Sequence, residues 1–270
     1  MLKLFNKKKK KSIRDNYRLD HARVLDSKTP FAVKEAFSSL YTNLLYLPIE
    51  SKCKRIAITS AVAAEGKTYV SINLARSIAM NSPEARVLLI DADMRSPRVY
   101  PIINNVNKRE RGLSEFLAGI DKEPSVVKSD IDNLSILYSG AETANTIGLF
   151  SSGNMKLLID YCEKNYDYVI FDSTPINIVS DAIVLNDFVD GYIVVTRAEV
   201  SNVNSVSILV NNLNRISANI FGFVLTGVDM TRSTKYYSRS KYYYSGYYSK
   251  KYGYYSYKYG YSNKDKKDGE

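Results

Sequence analysis

The short run Arg55 to Thr59 leads into Ala61-Val62-Ala63-Ala64-Glu65-Gly66-Lys67-Thr68, and a helix-like run follows from Thr68. Strand, Gly-Lys-Thr loop and helix, in that order, read as a phosphate-binding loop. Such a loop turns successive backbone N–H groups and a helix N-terminus toward phosphate oxygens, with Lys67 reaching the terminal phosphates and the Thr68 hydroxyl placed to ligate Mg²⁺. The pattern usually begins with glycine, and here Ala61 stands in that place. The segments around the loop therefore decide the reading.

Those segments alternate between strand and helix. Thr29-Pro30 reads as an N-cap and a first-turn proline, opening a helix over Phe31 to Leu47 that buries Ala36, Phe37, Leu40, Leu44 and Leu45. Ile56 to Thr59 is a short, mainly apolar strand of the kind buried in a parallel sheet, and the helix after the loop ends before Ser82-Pro83. Further strands are expected at Arg86 to Ile90, Leu134 to Leu137, Tyr166 to Phe171, Gly191 to Thr196 and Ile220 to Thr226. Helices are expected at Leu113 to Leu117, Ser151 to Lys164, Asp181 to Phe188 and Val203 to Ile216. This order predicts an α/β fold: a doubly wound, mostly parallel sheet with helices on both faces, forming one domain over residues 29–230.

Two of these strands run into acids. Arg86 to Ile90 continues into Asp91-Ala92-Asp93-Met94-Arg95, and Tyr168-Val169-Ile170-Phe171 ends in Asp172. In an open parallel sheet, ligands bind at the carboxyl edge, and alternation sends Asp91 and Asp93 to the same side. With Lys67 and Thr68 on that edge, the set suits phosphoryl transfer or nucleotide hydrolysis: the loop holds a polyphosphate, while Thr68 and an aspartate hold Mg²⁺. Arg95 either steadies the transferred group or caps the loop that follows.

The charge is uneven. Residues 1–14 carry seven Lys/Arg and no acid, and residues 231–270 carry ten against three acids, leaving 21 basic and 25 acidic residues between them. The net charge of +10 thus belongs to the ends. That argues against a basic nucleic-acid groove on the body and predicts a basic segment at residues 1–28 and a solvated tail at 231–270, open to an anionic membrane face, an acidic partner or nucleic acid. Two cysteines and one histidine offer no disulfide framework and no Cys/His metal site, which fits a reducing cytoplasm. No run reaches the ~18 apolar residues of a membrane span. The tail holds thirteen tyrosines at irregular spacing: Tyr236, Tyr237, Tyr242, Tyr243, Tyr244, Tyr247, Tyr248, Tyr252, Tyr254, Tyr255, Tyr257, Tyr259 and Tyr261. Its composition, Tyr with Ser, Gly and Lys, predicts a disordered low-complexity segment.

Taken together, Glu65-Gly66-Lys67-Thr68, Leu88-Leu89-Ile90-Asp91-Ala92-Asp93-Met94-Arg95, Tyr168-Val169-Ile170-Phe171-Asp172 and the tyrosine tail resemble the bacterial P-loop tyrosine kinases, in particular the cytoplasmic kinases of capsule and exopolysaccharide biosynthesis in Gram-positive bacteria. The resemblance implies ATP as phosphate donor, Mg²⁺ as cofactor and the tail tyrosines as acceptors in autophosphorylation. It assigns nucleotide contacts to Ala64, Glu65, Gly66, Lys67, Thr68 and Tyr69, metal contacts to Thr68, Asp91 and Asp172, and catalytic roles to Lys67, Asp91, Asp93 and Asp172. Asp93 is the candidate base for the tyrosine proton, and an exchange of roles between Asp91 and Asp93 stays open. Self-association for trans-phosphorylation, a membrane-anchored activator of polysaccharide export and a location at the inner membrane face through that partner are implied as well.

The chain departs from the family at three places. Ala63-Ala64 stands where Pro-Gly is common, Ser38 and Tyr41 occupy the arginine positions of a ring-assembly motif that begins at Glu35, and Ser173-Thr174-Pro175 replaces Thr-Pro-Pro. Two competing expectations follow: a nucleotide-dependent switch of the partition and cell-division type, and a pseudokinase scaffold. A tail that sticks to RNA through stacking and charge is a further alternative.

Overall fold

A computed structural model describes residues 23–104 and 111–228. The basic segment before residue 23 and all thirteen tail tyrosines lie outside the described residues. The contacts of the chain divide it after Thr226.

Among the described residues, seven strands form one sheet: β1 (Lys54–Ser60), β2 (Val87–Asp91), β3 (Val127–Lys128), β4 (Leu134–Leu137), β5 (Tyr168–Asp172), β6 (Gly191–Arg197) and β7 (Ile220–Thr226). Their order is β3-β4-β2-β5-β1-β6-β7. Every pair is parallel except β3 with β4. The helices are α1 (Phe31–Leu45), α2 (Lys67–Asn81), α3 (Val99–Asn104), α4 (Leu113–Leu117), α5 (Thr146–Phe150), α6 (Gly153–Asn165), α7 (Asp181–Val184) and α8 (Val203–Arg215), with a 3₁₀ turn at Leu185–Phe188.

Alternate residues of each central strand face opposite cores. Ile56, Ile58, Leu89 and Ile170 pack under α1 and α2, together with Phe37, Leu44, Leu74 and Ile78. Ala57, Leu88, Ile90 and Phe171 pack under α6 and α8, together with Met155, Leu158, Leu209 and Leu213. Covering both faces is what makes β2 and β5 continuous apolar runs instead of alternating ones. The expected doubly wound sheet is therefore the one observed.

Some details differ from the expectation. Thr29 does not cap α1: its hydroxyl accepts from the Asp26 N–H at 2.9 Å and donates to Asp26 Oδ1, closing a turn, while the Pro30 carbonyl accepts from Val33 and Lys34. The buried stripe of α1 is Phe37, Tyr41 and Leu44, with Ala36 exposed and Leu45 44% exposed. Tyr41, which occupies one arginine position of the ring-assembly motif, turns its ring inward and meets Tyr168 edge to face at 6.2 Å inside the core. Three elements carry too little period to be read from sequence: α3, α5 and the two-residue β3. Pro101 fits α3 because it sits in the first turn, where a missing N–H removes no helical bond. Among the described residues, no helix is long and apolar enough to cross a membrane.

Candidate functional site

Parallel pairing places the C-terminal ends of β1, β2 and β5 along one edge. Asp91 is the register partner of Asp172, and Asp172 is in turn the partner of Ile58, two residues before the end of β1. The two carboxylates therefore sit on adjacent strands beside the loop that β1 feeds.

The loop enters α2 through Gly66 at φ 99, and Ala64 also adopts the left-handed region at φ 65. A non-glycine residue held there costs about 1–2 kcal/mol. The alanine at this place thus takes up a conformation that suits glycine better, and it does so under strain. The first bond of α2 runs from the Val70 N–H to the Gly66 carbonyl at 2.9 Å, so the amides of the preceding turn face the loop. Lys67 is buried, and desolvation lowers its pKa while Asp172, Asp93 and Glu65 pull it back up. Tyr69 contributes backbone to this turn, and its ring packs against Phe37 at 5.7 Å.

Asp172 Oδ1 accepts from the Ser71 hydroxyl at 2.9 Å, and the nearby Thr68 side chain favours the charged form of the same carboxylate. Burial pushes the Asp172 carboxyl up to about 6, against Lys67, which holds it down. Asp91 is completely buried; its carboxyl is raised well above the usual range, first by desolvation and then by the charge of Asp172. Its Oδ2 accepts from the Val99 N–H at 3.1 Å, whereas its Oδ1 is buried with no hydrogen-bond partner. Asp93 lies past the end of β2, is partly exposed, and accepts from the Ser96 N–H at 3.0 Å. Burial raises its pKa too, while Lys67 lowers it.

These groups suit Mg²⁺. A hydroxyl and two carboxylates are hard oxygen donors, and Asp91 Oδ1 is an orphaned buried acceptor that a cation would satisfy. Among the described residues, no three His, Cys, Asp or Glu side chains gather as a metal cage. Mg²⁺ with one or two carboxylates and substrate phosphates needs no such cage.

Arg95 has another engagement: its Nε and Nη2 donate to Asp181 at 2.6 and 3.0 Å, and Nη2 donates to Thr146 Oγ1 at 2.8 Å. Asp181 had been read only as the start of a helix. Ser71 was missed as well, although it lies four residues after Lys67 and hence on the same face of α2. After β5, Ser173 Oγ donates to the Ile58 carbonyl at 2.9 Å, and Thr59 Oγ1 donates to the Thr174 carbonyl at 2.9 Å, locking the ends of β5 and β1 together.

Comparison with known proteins shows the family and the fold. The AAA domain family matches residues 53–222. Tyrosine-protein kinase CpsD of Streptococcus pneumoniae is 32% identical over 199 residues, covering 73% of this chain and 86% of its own length. The chain belongs to the bacterial P-loop tyrosine kinase family. Tyrosine-protein kinase etk of Escherichia coli, another member, is 33% identical over 203 residues, but the chain spans only 27% of its length. The solved kinase domain of that E. coli enzyme superposes with a TM-score of 0.68 at 32% identity, covering 75% of this chain and 78% of the domain.

Proposed function

We propose that the protein is an ATP-dependent tyrosine kinase that phosphorylates its own C-terminal tyrosine cluster and acts in capsule or exopolysaccharide synthesis. The observation that supports this most is the convergence of Lys67, Thr68, Asp172 and the orphaned Asp91 oxygen at one sheet edge. The loop amides and Lys67 hold the β- and γ-phosphates of ATP. Thr68, Asp91 and Asp172 hold Mg²⁺, which when bound supplies neutralisation of the phosphate charge. The Asp91–Asp172 pair, raised in pKa while both carboxyls are buried, gains its full negative charge only against a cation.

Asp93 takes the proton. A tyrosine hydroxyl has a pKa of about 10, so a carboxylate must accept its proton as attack begins. Asp93 is the partly exposed acid of the three, and so the one an incoming chain reaches. The phenolic oxygen bonds to the γ-phosphorus, the bond from that phosphorus to the β,γ-bridging oxygen breaks, ADP leaves, and the proton ends on Asp93. Acceptor tyrosines come from the tail of another copy, and a membrane-anchored activator of polysaccharide export brings the kinase to the inner membrane face. Each phosphate adds roughly −1.5 to −2 charges, so a few of them reverse a basic tail and alter its assembly.

The test is mass spectrometry of the purified protein with ATP and Mg²⁺, with and without the activator. Phosphotyrosine on Tyr236 to Tyr261 is expected. ATP hydrolysis without any phosphotyrosine would place the protein among nucleotide switches, and neither activity would leave a scaffold.

A further inference from the structure

Three side chains from outside the phosphate loop converge on two consecutive residues within it. The Arg197 guanidinium, at the end of β6, donates to the Ala64 carbonyl at 3.1 Å. The Thr226 hydroxyl, at the end of β7, donates to the Glu65 carbonyl at 2.7 Å. The Ser201 hydroxyl accepts from the Arg197 N–H at 2.7 Å and donates to Glu65 Oε1, while Glu65 Oε2 accepts from the Val62 N–H at 2.8 Å. Glu65 is thereby fully buried. The Thr226 oxygen would lie 3.3 Å from a Cβ built on Gly66, so the glycine gives it room to approach.

Peptide planarity turns these contacts into a statement about the opposite side of the loop. In a trans peptide the C=O and N–H point in opposite directions. Pinning the carbonyls of Ala64 and Glu65 from outside therefore fixes the N–H groups of Glu65 and Gly66 on the other side, where a phosphate-binding loop presents its donors. Loops of this kind commonly use glycine to take up such a shape. Here Ala64 sits at φ 65, and the brace holds it there.

We propose that Arg197, Ser201 and Thr226 are positioning residues for the phosphate donor: they pre-set the loop amides for ATP without touching it. This rests on the nucleotide reading of the loop. Losing one of these hydrogen bonds weakens Mg·ATP binding by roughly three- to tenfold, the usual worth of a single bond. The loss falls on KM for ATP, and kcat stays within about twofold, since the bonds act on binding of the phosphates.

The experiment is equilibrium titration of the full chain with Mg·ATP, alongside the kinetics of ATP consumption, for wild type, Ser201→Ala, Thr226→Val and the conservative Thr226→Ser. Weakened binding in the first two variants, recovery in Thr226→Ser and a rise in KM at nearly constant kcat support the brace. A Ser201→Ala effect that vanishes in a Glu65→Ala background supports action through that carboxylate. Wild type that binds Mg·ATP while Ser201→Ala and Thr226→Val bind it equally well overturns the brace and leaves the nucleotide reading intact. Wild type that binds no Mg·ATP overturns both. If Thr226→Val does not fold, Arg197→Met, at an exposed strand end, makes the same measurement.

Discussion

Replacing Asp172 with asparagine should make the nucleotide-free protein more stable while destroying its function. Asp172 is 1% exposed, and burial lifts its carboxyl from 3.8 to about 6, with Lys67, Thr68 and Ser71 opposing. A rise of about two pKa units corresponds to about 3 kcal/mol at ~1.36 kcal/mol per unit. The folded state holds this proton more tightly than the unfolded chain does. Stability therefore falls as pH rises from about 4 through about 6, and the full penalty is present above that window. Asparagine keeps an oxygen for Ser71 and has no charge to desolvate, although Lys67 loses a counter-charge, which takes back part of the gain. The net expectation at about pH 8 is 1–3 kcal/mol of added stability, or roughly 2–10 °C in Tm for a domain of this size. Thermal melts of wild type and Asp172→Asn without Mg²⁺ or nucleotide measure it. The gap should close as pH falls toward about 4, where the wild-type carboxyl is protonated. Adding Mg·ATP should raise the wild-type Tm and leave the variant nearly unmoved. A variant that melts below wild type at pH 8 would refute the reasoning, because burial of the charge would then not be the dominant cost.

Four further outcomes follow from the same geometry. Arg95→Ala leaves Asp181 buried without its cation and should lose about 2–3 kcal/mol in denaturant titration, below the ~3–5 kcal/mol of a fully buried pair because Arg95 is a third exposed. Asp93→Asn should lower kcat by about 10²–10⁴-fold, as removal of a general base does, with Mg·ATP affinity little changed. Asp91→Asn should instead raise the Mg²⁺ concentration needed for half-maximal rate, and Mg²⁺ titrations of the two variants separate the roles; the opposite pattern would exchange them. Lys67→Met should abolish phosphate incorporation and weaken Mg·ATP binding, both read in one radiolabelled-nucleotide assay.

The fold was legible because its signal is periodic. Core strands buried on both faces must be apolar runs, and the carboxylates that interrupt them at Asp91 and Asp172 stand out for the same reason. Their register pairing, by contrast, is set by β5 lying between β1 and β2, and no local pattern encodes that order. Tyr41 shows the limit of position-by-position comparison, since its place on a motif said nothing of its burial against Tyr168. Arg95 reads from sequence as a phosphate ligand or a loop cap, and neither reading names Asp181, which the chain brings to it from 86 residues away. The brace on Ala64 and Glu65 was likewise invisible: Ser201 and Thr226 are ordinary polar residues 136 and 161 positions from Glu65, and only the pairing of β6 with β7 delivers them there.

The central claim is that this sheet edge transfers phosphate to tyrosine. Site-resolved mass spectrometry of wild type and Asp172→Asn, each incubated with ATP, Mg²⁺ and the activator, tests it most directly. Phosphotyrosine between Tyr236 and Tyr261 in wild type, absent from the folded variant, is the expected result. A wild-type protein that binds and hydrolyses ATP yet carries no phosphotyrosine would contradict it.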